Sequence, residues 1–476
     1  MSISSSLSNA ISGMNAASRM AEIVSSNVAN SLTDGYGRRS VNLSSGLGGV
    51  QVGSVDRFVD RGVLADRRLA GASLGGYEML ASAMNNIQSA IGQPGQSDSV
   101  SGRIVALEAA LVDASSDPSS TIRLETLGSR LGDLAESINA SSRAIQDDRV
   151  KADTSIADQI DLLNTSLSQV EKLNKDILSA RNSGSDPSSL MDQRQRVVDT
   201  IAEIVPVREL DRDGGQIALM TPSGQSLIDG KAKQFGFTSN AVIASEMTIE
   251  SGGLYGITLD GVSLGPNGVG KLAGGTLGAA FQVRDVELVA AQEGLDNVAA
   301  DLIARFQDPT VDSTLAVGEA GLLTDNGTAF DVLNTTGLAE RISVNAAVDP
   351  SAGGNVIKFR DGINAVTAGP SGNASLLQSL SAALSDTRST ATDLANQSAA
   401  GRAGNLEGDM GNRRLVFETE LSFANARWSG LKEAEAAGGV DTDFEMQTLL
   451  RVEQAYAANA RVVQTVQTLM QRLMEI

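Results

Sequence analysis

The 476-residue chain contains neither cysteine nor histidine. Without cysteine there are no disulfides, no thiolate-held zinc or iron–sulfur clusters and no thiol nucleophile. Without histidine there is no imidazole metal ligand and no usual general base near neutral pH. Aromatic residues make up only 3% of the chain, with one Trp, four Tyr and ten Phe, so anchors for stacked ligands are few. Positive charge is in deficit: Lys+Arg 37 against Asp+Glu 57 gives a net charge of −20. A phosphate backbone would repel such a chain, which argues against nucleic acid as a partner. No apolar run approaches the ~18 residues of a membrane span, so no membrane insertion is expected. The N-terminal stretch has no basic residue before Arg19 and no compact apolar segment, unlike an ordinary secretory signal. What remains suits assembly or scaffolding better than catalysis.

Heptad spacing is present at both ends. Ile3, Leu7, Ala10, Met14, Ala17, Ala21, Val24 and Val28 alternate steps of four and three, the seam of a coiled coil. Leu449, Val452, Tyr456, Asn459, Val463, Val466, Met470 and Leu473 form a second seam with the same alternation. Asn459 is the polar member, and one polar seam residue can set register and partner choice. The N-terminal seam is mostly small residues, so the helix is marginal alone and needs a partner. Either both ends pack on the chain's own core, or they pair with each other and with other copies.

Between the ends, helical periodicity alternates with turn-rich stretches. Residues 34–60 are Gly- and Ser-rich with a strand signal at Val50 to Val55. Helical patterns follow at Tyr77 to Ile91 and Val100 to Leu111, then along a stretch of about sixty residues from Leu124 to Ile177, far above the mean of about 11–12. Such a length implies a rod-like shape. One more helix covers 186–205 and stops at Pro206. Short apolar runs between Gly, Pro and Asp turns make 207–277 a small antiparallel β region. Helix returns at Leu277 to Phe306 and at 371–437, and the stretch Arg341 to Phe359 suggests a hairpin.

Several chemical motifs fail on inspection. Gly265 to Lys271 has the spacing of a phosphate-binding loop, but Leu272 stands where Ser or Thr would ligate magnesium. Asp211, Asp213 and Gly214-Gly215 resemble part of a calcium loop without its further oxygen ligands, and fit a turn between strands better. Asp147-Asp148 and Glu418/Glu420 could form a carboxylate pair for glycoside chemistry, but in so acidic a chain they fit solvated helix faces better. No catalytic, cofactor-binding or metal site is expected.

Three stretches carry a resemblance. Ser26-Asn27-Val28-Ala29-Asn30, followed by Thr33-Asp34-Gly35-Tyr36-Gly37-Arg38-Arg39, is similar to the SNNIAN…TPGYxRQ signature of bacterial flagellar axial proteins. Glu453 to Ala460 and the Val-Val-Gln-Thr that follows resemble the C-terminal motif of the same class. Leu190-Met191-Asp192-Gln193-Arg194-Gln195-Arg196-Val197-Val198, with Val205-Pro206-Val207 after it, resembles a segment of the hook-associated protein 1 family, the first hook–filament junction proteins (FlgK). Arg39 and Asp34 depart from the pattern, where the family has Gln and Pro. The chain leaves no room for a large additional outer domain and reads as a trimmed member. Other axial proteins, hook protein or flagellin, are the nearest alternatives. A secreted coiled-coil effector and a wall hydrolase lie further off.

The resemblance implies a structural protein exported through the flagellar apparatus without a cleaved signal, located outside the cell. Its partners would be other copies in a ring, hook protein, the second hook–filament junction protein and a cytoplasmic export chaperone on the C-terminal helix. Asn27, Asn30, Gly35, Tyr36, Arg38, Asp192, Gln193 and Arg194 would be family-motif residues. The expected fold is mainly α with a β insertion and nested domains. Residues 1–35 with 440–476 would form a channel-lining, coiled-coil-like helical unit. Residues 36–205 with 277–439 would form an elongated helical bundle with a short β or loop part. Residues 206–276 would form a small antiparallel β-rich outer domain.

Overall fold

The computed structural model describes residues 3–46, 48–390 and 394–474. Residues 1–2 and 475–476 of the expected terminal unit lie outside the described residues. The first helix, α1 (Ile3–Ala29), ends in a turn where Tyr36 N donates to Thr33 O. Gly35 takes φ +76° in this turn, a conformation that a side chain disfavours. Two antiparallel strands follow, β1 (Arg38–Gly46) and β2 (Gly49–Phe58). The Asp60 carboxylate accepts from Gly62 N and Val63 N and so starts α2 (Arg61–Ile91). Ser99 caps α3 (Val100–Ser116), which stops before Asp117-Pro118. The long periodic stretch is one helix, α4 (Thr121–Asn182). Its 62 residues span about 93 Å at 1.5 Å per residue.

After α5 (Ser188–Ile204) come β3 (Arg208–Asp211), β4 (Ile217–Met220), β5 (Ser226–Asp229) and β6 (Lys231–Ala232), an antiparallel meander. The Asp213–Gly215 segment is the turn between β3 and β4. Strands β7 (Phe235–Gly236), β8 (Thr258–Leu259) and β9 (Val262–Ser263) form a second small sheet. Then come α6 (Gly275–Gln282), a π-helical turn at Val283–Glu287, and α7 (Leu288–Phe306). The remainder comprises β10 (Leu323–Asp325), α8 (Leu338–Arg341), β11 (Ile342–Val344), α9 (Lys358–Asp361), α10 (Ser375–Ser385), α11 (Ala399–Ala437) and α12 (Thr442–Met474).

Two apolar cores lie along α4. Its first half, from Leu124 to Ala152, packs with α2, α3, α7, α10 and α11. Its second half, from Ile156 to Val170, packs with α5, α6 and the β segment, where Leu219, Leu227, Ile228 and Ile257 are fully buried. The β strands therefore share their core with helices. Neither core contains a residue of α1 or α12.

The π turn carries an arginine into the interior. Arg284 is fully buried, pairs with the fully buried Asp153 at 2.5 Å and is bidentate to Asp285. Its guanidinium lies 4.7 Å from the Phe281 ring centroid. Arg149 donates to the carbonyls of Arg284, Ala244 and Met247. One extra residue in the turn re-aims the side chains that follow it.

Two sequence expectations are corrected. The helical block at 371–437 is not one helix: α10 ends at Ser385 and α11 begins at Ala399, and between them Arg388 and Gln397 form an antiparallel bridge. The hairpin expected within Arg341 to Phe359 is a longer-range pairing, of β11 with β10, while Pro350–Ala352 and Lys358–Asp361 are short helices. The carboxylates set aside as surface groups pair on the surface, Asp148 with Lys151 and Glu418 with Arg414.

Asp296 in α7 accepts from the Gly337 and Ala339 amides and from Gln292. Burial nonetheless pushes its carboxyl up to about 6 from an ordinary value of 3.8. The folded state then holds this proton more tightly than the unfolded chain does. The group's contribution is greatest at low pH and is lost as pH rises through about 6. By linkage, about 3 kcal/mol of stability should disappear between about pH 4 and pH 7. Urea unfolding at both pH values checks this: the wild-type minus Asp296→Asn stability difference should shrink as pH rises.

Candidate functional site

The terminal helices pair along their length and run antiparallel, because Arg38, just past the end of α1, bonds Glu445 in the first turn of α12. On α1 the seam residues Ala10, Ala17 and Val24 are buried, while Leu7, Met14, Ala21 and Val28 are half-buried. On α12, Val452 and Val466 are buried and Leu449, Asn459 and Val463 half-buried. Tyr456, Met470 and Leu473 are exposed at 44%, 48% and 60%. Leu450, Leu469 and Met474 add further exposed apolar surface to the same helix. One helix partner therefore covers only part of the C-terminal seam.

A second face of α1 meets the β1–β2 hairpin. Ser8 Oγ donates to Gly48 O, and Val50 N donates to Ser12 Oγ. Farther along, the fully buried Asn27 donates to Arg39 O and accepts from Arg39 N and the Tyr36 hydroxyl. The hairpin thus runs beside α1, with both β1 and β2 against that helix in space. Their Ser-rich sequence concealed β1 behind the strand signal of β2.

The motif residues converge where this terminal unit meets the inner helices. Asp192, near the start of α5, accepts from Arg39 at 2.6 Å, from Arg57 at 2.6 Å and from Gly37 N at 3.1 Å. Arg57 also reaches Gln195 Oε1 and Gly35 O. Arg39 stacks on the Tyr36 ring at 4.8 Å. Arg38 pairs with the buried Glu445 at 2.8 Å and lies over Phe444. Asn30 closes the end of α1 on Ser26 O. Arg194 turns the other way, to Asn174 and Gly215 O, and burial lowers its guanidinium to about 10. Gln193 points to solvent. Of the expected residues, Asn27, Tyr36 and Asp192 therefore form one node, to which Gly35 contributes its carbonyl, while the neighbouring Arg38 reaches Glu445 on α12.

Sequence reading missed Arg57 and Glu445, which stand in no contiguous signature, whereas Gln195 lay within the 190–198 segment without being singled out. Arg39, noted only as a departure from the family pattern, supplies one of the closest ion pairs of the node. The complement of Arg39 and Arg57 to a lone interior carboxylate was the available signal. Reading it requires knowing which segments meet.

The node joins the two ends of the chain to α5 in its middle. Residues 84–319 match the family model of the flagellar hook-associated protein FlgK helical domain. Residues 7–36 match the flagella basal body rod protein model, and 436–476 match the flagellar basal body rod FlgEFG protein C-terminal model. The chain aligns end to end with flagellar hook-associated protein 1 of Escherichia coli (strain K12), at 24% identity over 561 positions and 100% of both chains. The chain belongs to the hook-associated protein 1 family.

Flagellar hook-associated protein 1 of Bacillus subtilis (strain 168) is 24% identical over 477 positions, covering 92% of this chain and 91% of that one. The structure of the flagellar hook junction protein FlgK from Burkholderia pseudomallei matches with a TM-score of 0.57 at 14% identity. That match covers 78% of this chain and 98% of the other, and it shows a shared fold. The 561-position alignment is 85 positions longer than this 476-residue chain, so the Escherichia coli relative carries segments that this hook-associated protein 1 family member lacks. As a member of that family, the chain is a structural component of the bacterial flagellum, of the hook–filament junction type. No described helix is long and apolar enough to cross a membrane.

Proposed function

We propose that α1 and α12 are the assembly surface through which copies of this protein pack into a ring between hook and filament. Tyr456, Met470 and Leu473 would be covered by terminal helices of neighbouring copies around the channel, and the ring would meet hook protein on one side and the second junction protein on the other. The observation that carries this reading is the half-covered C-terminal seam on a helix that belongs to neither core. Copies completing each other's seams would form heterologous, lattice-type contacts and no closed two-fold dimer. The terminal helices bury little within one chain, so they would become fully ordered on assembly. The same exposed face of α12 suits a cytoplasmic export chaperone before passage, unfolded and without a cleaved signal, to the outside of the cell. In this reading the protein is not an enzyme and needs no cofactor or metal. Three units, with both chain ends joined in the outermost two, describe the domain organisation we favour.

The test is a strain whose only copy lacks residues 441–476. It should build hooks without filaments and release flagellin into the medium, as a full deletion would. The purified truncated chain should keep the helix content of α2 to α11 by circular dichroism and sediment as a monomer. Normal filaments would reject the assembly role. A collapsed truncation would show that the terminal pair belongs to the core.

A further inference from the structure

Helix α1 contains a single glycine, Gly13, and α12 contains none. Glycine inside a helix is destabilising relative to alanine, so its position needs a packing reason. A Cβ at Gly13 would stand 2.7 Å from Asn459 Nδ2 and 3.0 Å from both Cγ and Oδ1 of the same side chain. All three atoms of the amide therefore lie against the one place on α1 where no side chain projects. The amide is held there by its own helix, since Asn459 Nδ2 donates to Ala455 O at 3.0 Å.

We propose that Gly13 and Asn459 form a register pin, a notch and a knob that admit one antiparallel alignment of the terminal helices. The apolar seam alone is degenerate, because a slip of one heptad again matches small and branched residues. Such a slip would set Asn459 against Ser6 or Met20, both of which carry a Cβ. The amide then meets a side chain where it now meets bare backbone. Polar seam residues fix register in coiled coils by this kind of mismatch. The pin concerns pairing within one chain and stands apart from the assembly reading.

The absence of native cysteine makes the register directly readable. Three residues back from Gly13 and four forward from Asn459 are Ala10 and Val463, both on the seam. Cysteines at Ala10 and Val463 report the pinned register, and cysteines at Ala10 and Met470 report a one-heptad slip. In the full-length chain under mild oxidation, the first pair should cross-link and the second should not. Gly13→Ala should reduce the first cross-link several-fold, although alanine is the better helix former. Asn459→Ala should let the slipped pair cross-link as well. Combining the two substitutions should bring the first cross-link back, because nothing is left to collide. The proposal fails if Gly13→Ala leaves the first cross-link unchanged. It also fails if the double variant stays low, or if the chain carrying only the two cysteines does not cross-link between positions 10 and 463.

Discussion

Asp192→Ala should release the terminal helices from the inner helices while leaving both cores intact. Among the described residues, Asp192 is the carboxylate paired with both Arg39 and Arg57, and it also receives Gly37 N. Its side chain is 7% exposed, with Arg39 at 14% and Arg57 at 11%, so water cannot easily take its place. Removing one partner of a buried pair typically costs about 3–5 kcal/mol, because the remaining charge is left without compensation. Here two guanidiniums lose a partner. Tyr36 and Asn27 lose their orientation as well, since both depend on where Arg39 sits.

The loss should be local in character. No residue of α1 or α12 belongs to either core, so the terminal unit can detach without unfolding the bundle. Limited proteolysis should then cut within residues 30–37 and 438–441, and urea unfolding should split into two transitions. Gln193→Ala is the internal control. It alters the adjacent motif residue, which faces solvent, and should move stability by no more than about 0.5 kcal/mol. Equal effects at 192 and 193 would dismiss the node as the coupling element.

Arg284→Met should produce a loss of similar size, about 3–5 kcal/mol, but in the core. Arg284 and Asp153 are both 0% exposed, and the substitution leaves the Asp153 carboxylate with the Asn240 amide as its other hydrogen-bond donor. Methionine fills much of the arginine volume against Phe281 and Phe237, so the loss would come mainly from the stranded charge and not from a cavity. Adding Asp153→Asn tests that assignment. Asparagine keeps an oxygen for Asn240 N and removes the charge, and replacing both members of a buried pair is often close to neutral. Most of the lost stability should return in the double variant, as measured by urea midpoint. If the double is as unstable as Arg284→Met alone, packing and not charge maintains the π turn.

The two predictions mark different degrees of legibility. Asp192 could be picked out from its motif, although its partners Arg39 and Arg57 lie 153 and 135 residues away. The Arg284–Asp153 pair had no signature, since each residue sits in an ordinary amphipathic pattern and only the π turn brings them together. Strand β1 was hidden for a related reason: its sequence RRSVNLSSG alternates poorly, and α1 and β2 stabilise it from either side. The β10–β11 pairing was misplaced because a short apolar run does not say which distant run it will meet.

Local periodicity was sufficient for the long central helix and the terminal helices. The 62 residues of α4 and the seams of α1 and α12 follow from apolar spacing alone, because a helix satisfies its own backbone and needs only one face covered. The missing cysteine and histidine excluded disulfides and imidazole or thiol chemistry before any contact was known. Tertiary structure decided everything that depends on approach between distant segments. It set Asp192 beneath two arginines, laid the hairpin along α1 and placed the Asn459 amide over Gly13. Side-chain spacing along one helix constrains only that helix, whereas register, ion pairing and a close approach are properties of two surfaces that chain closure brings together.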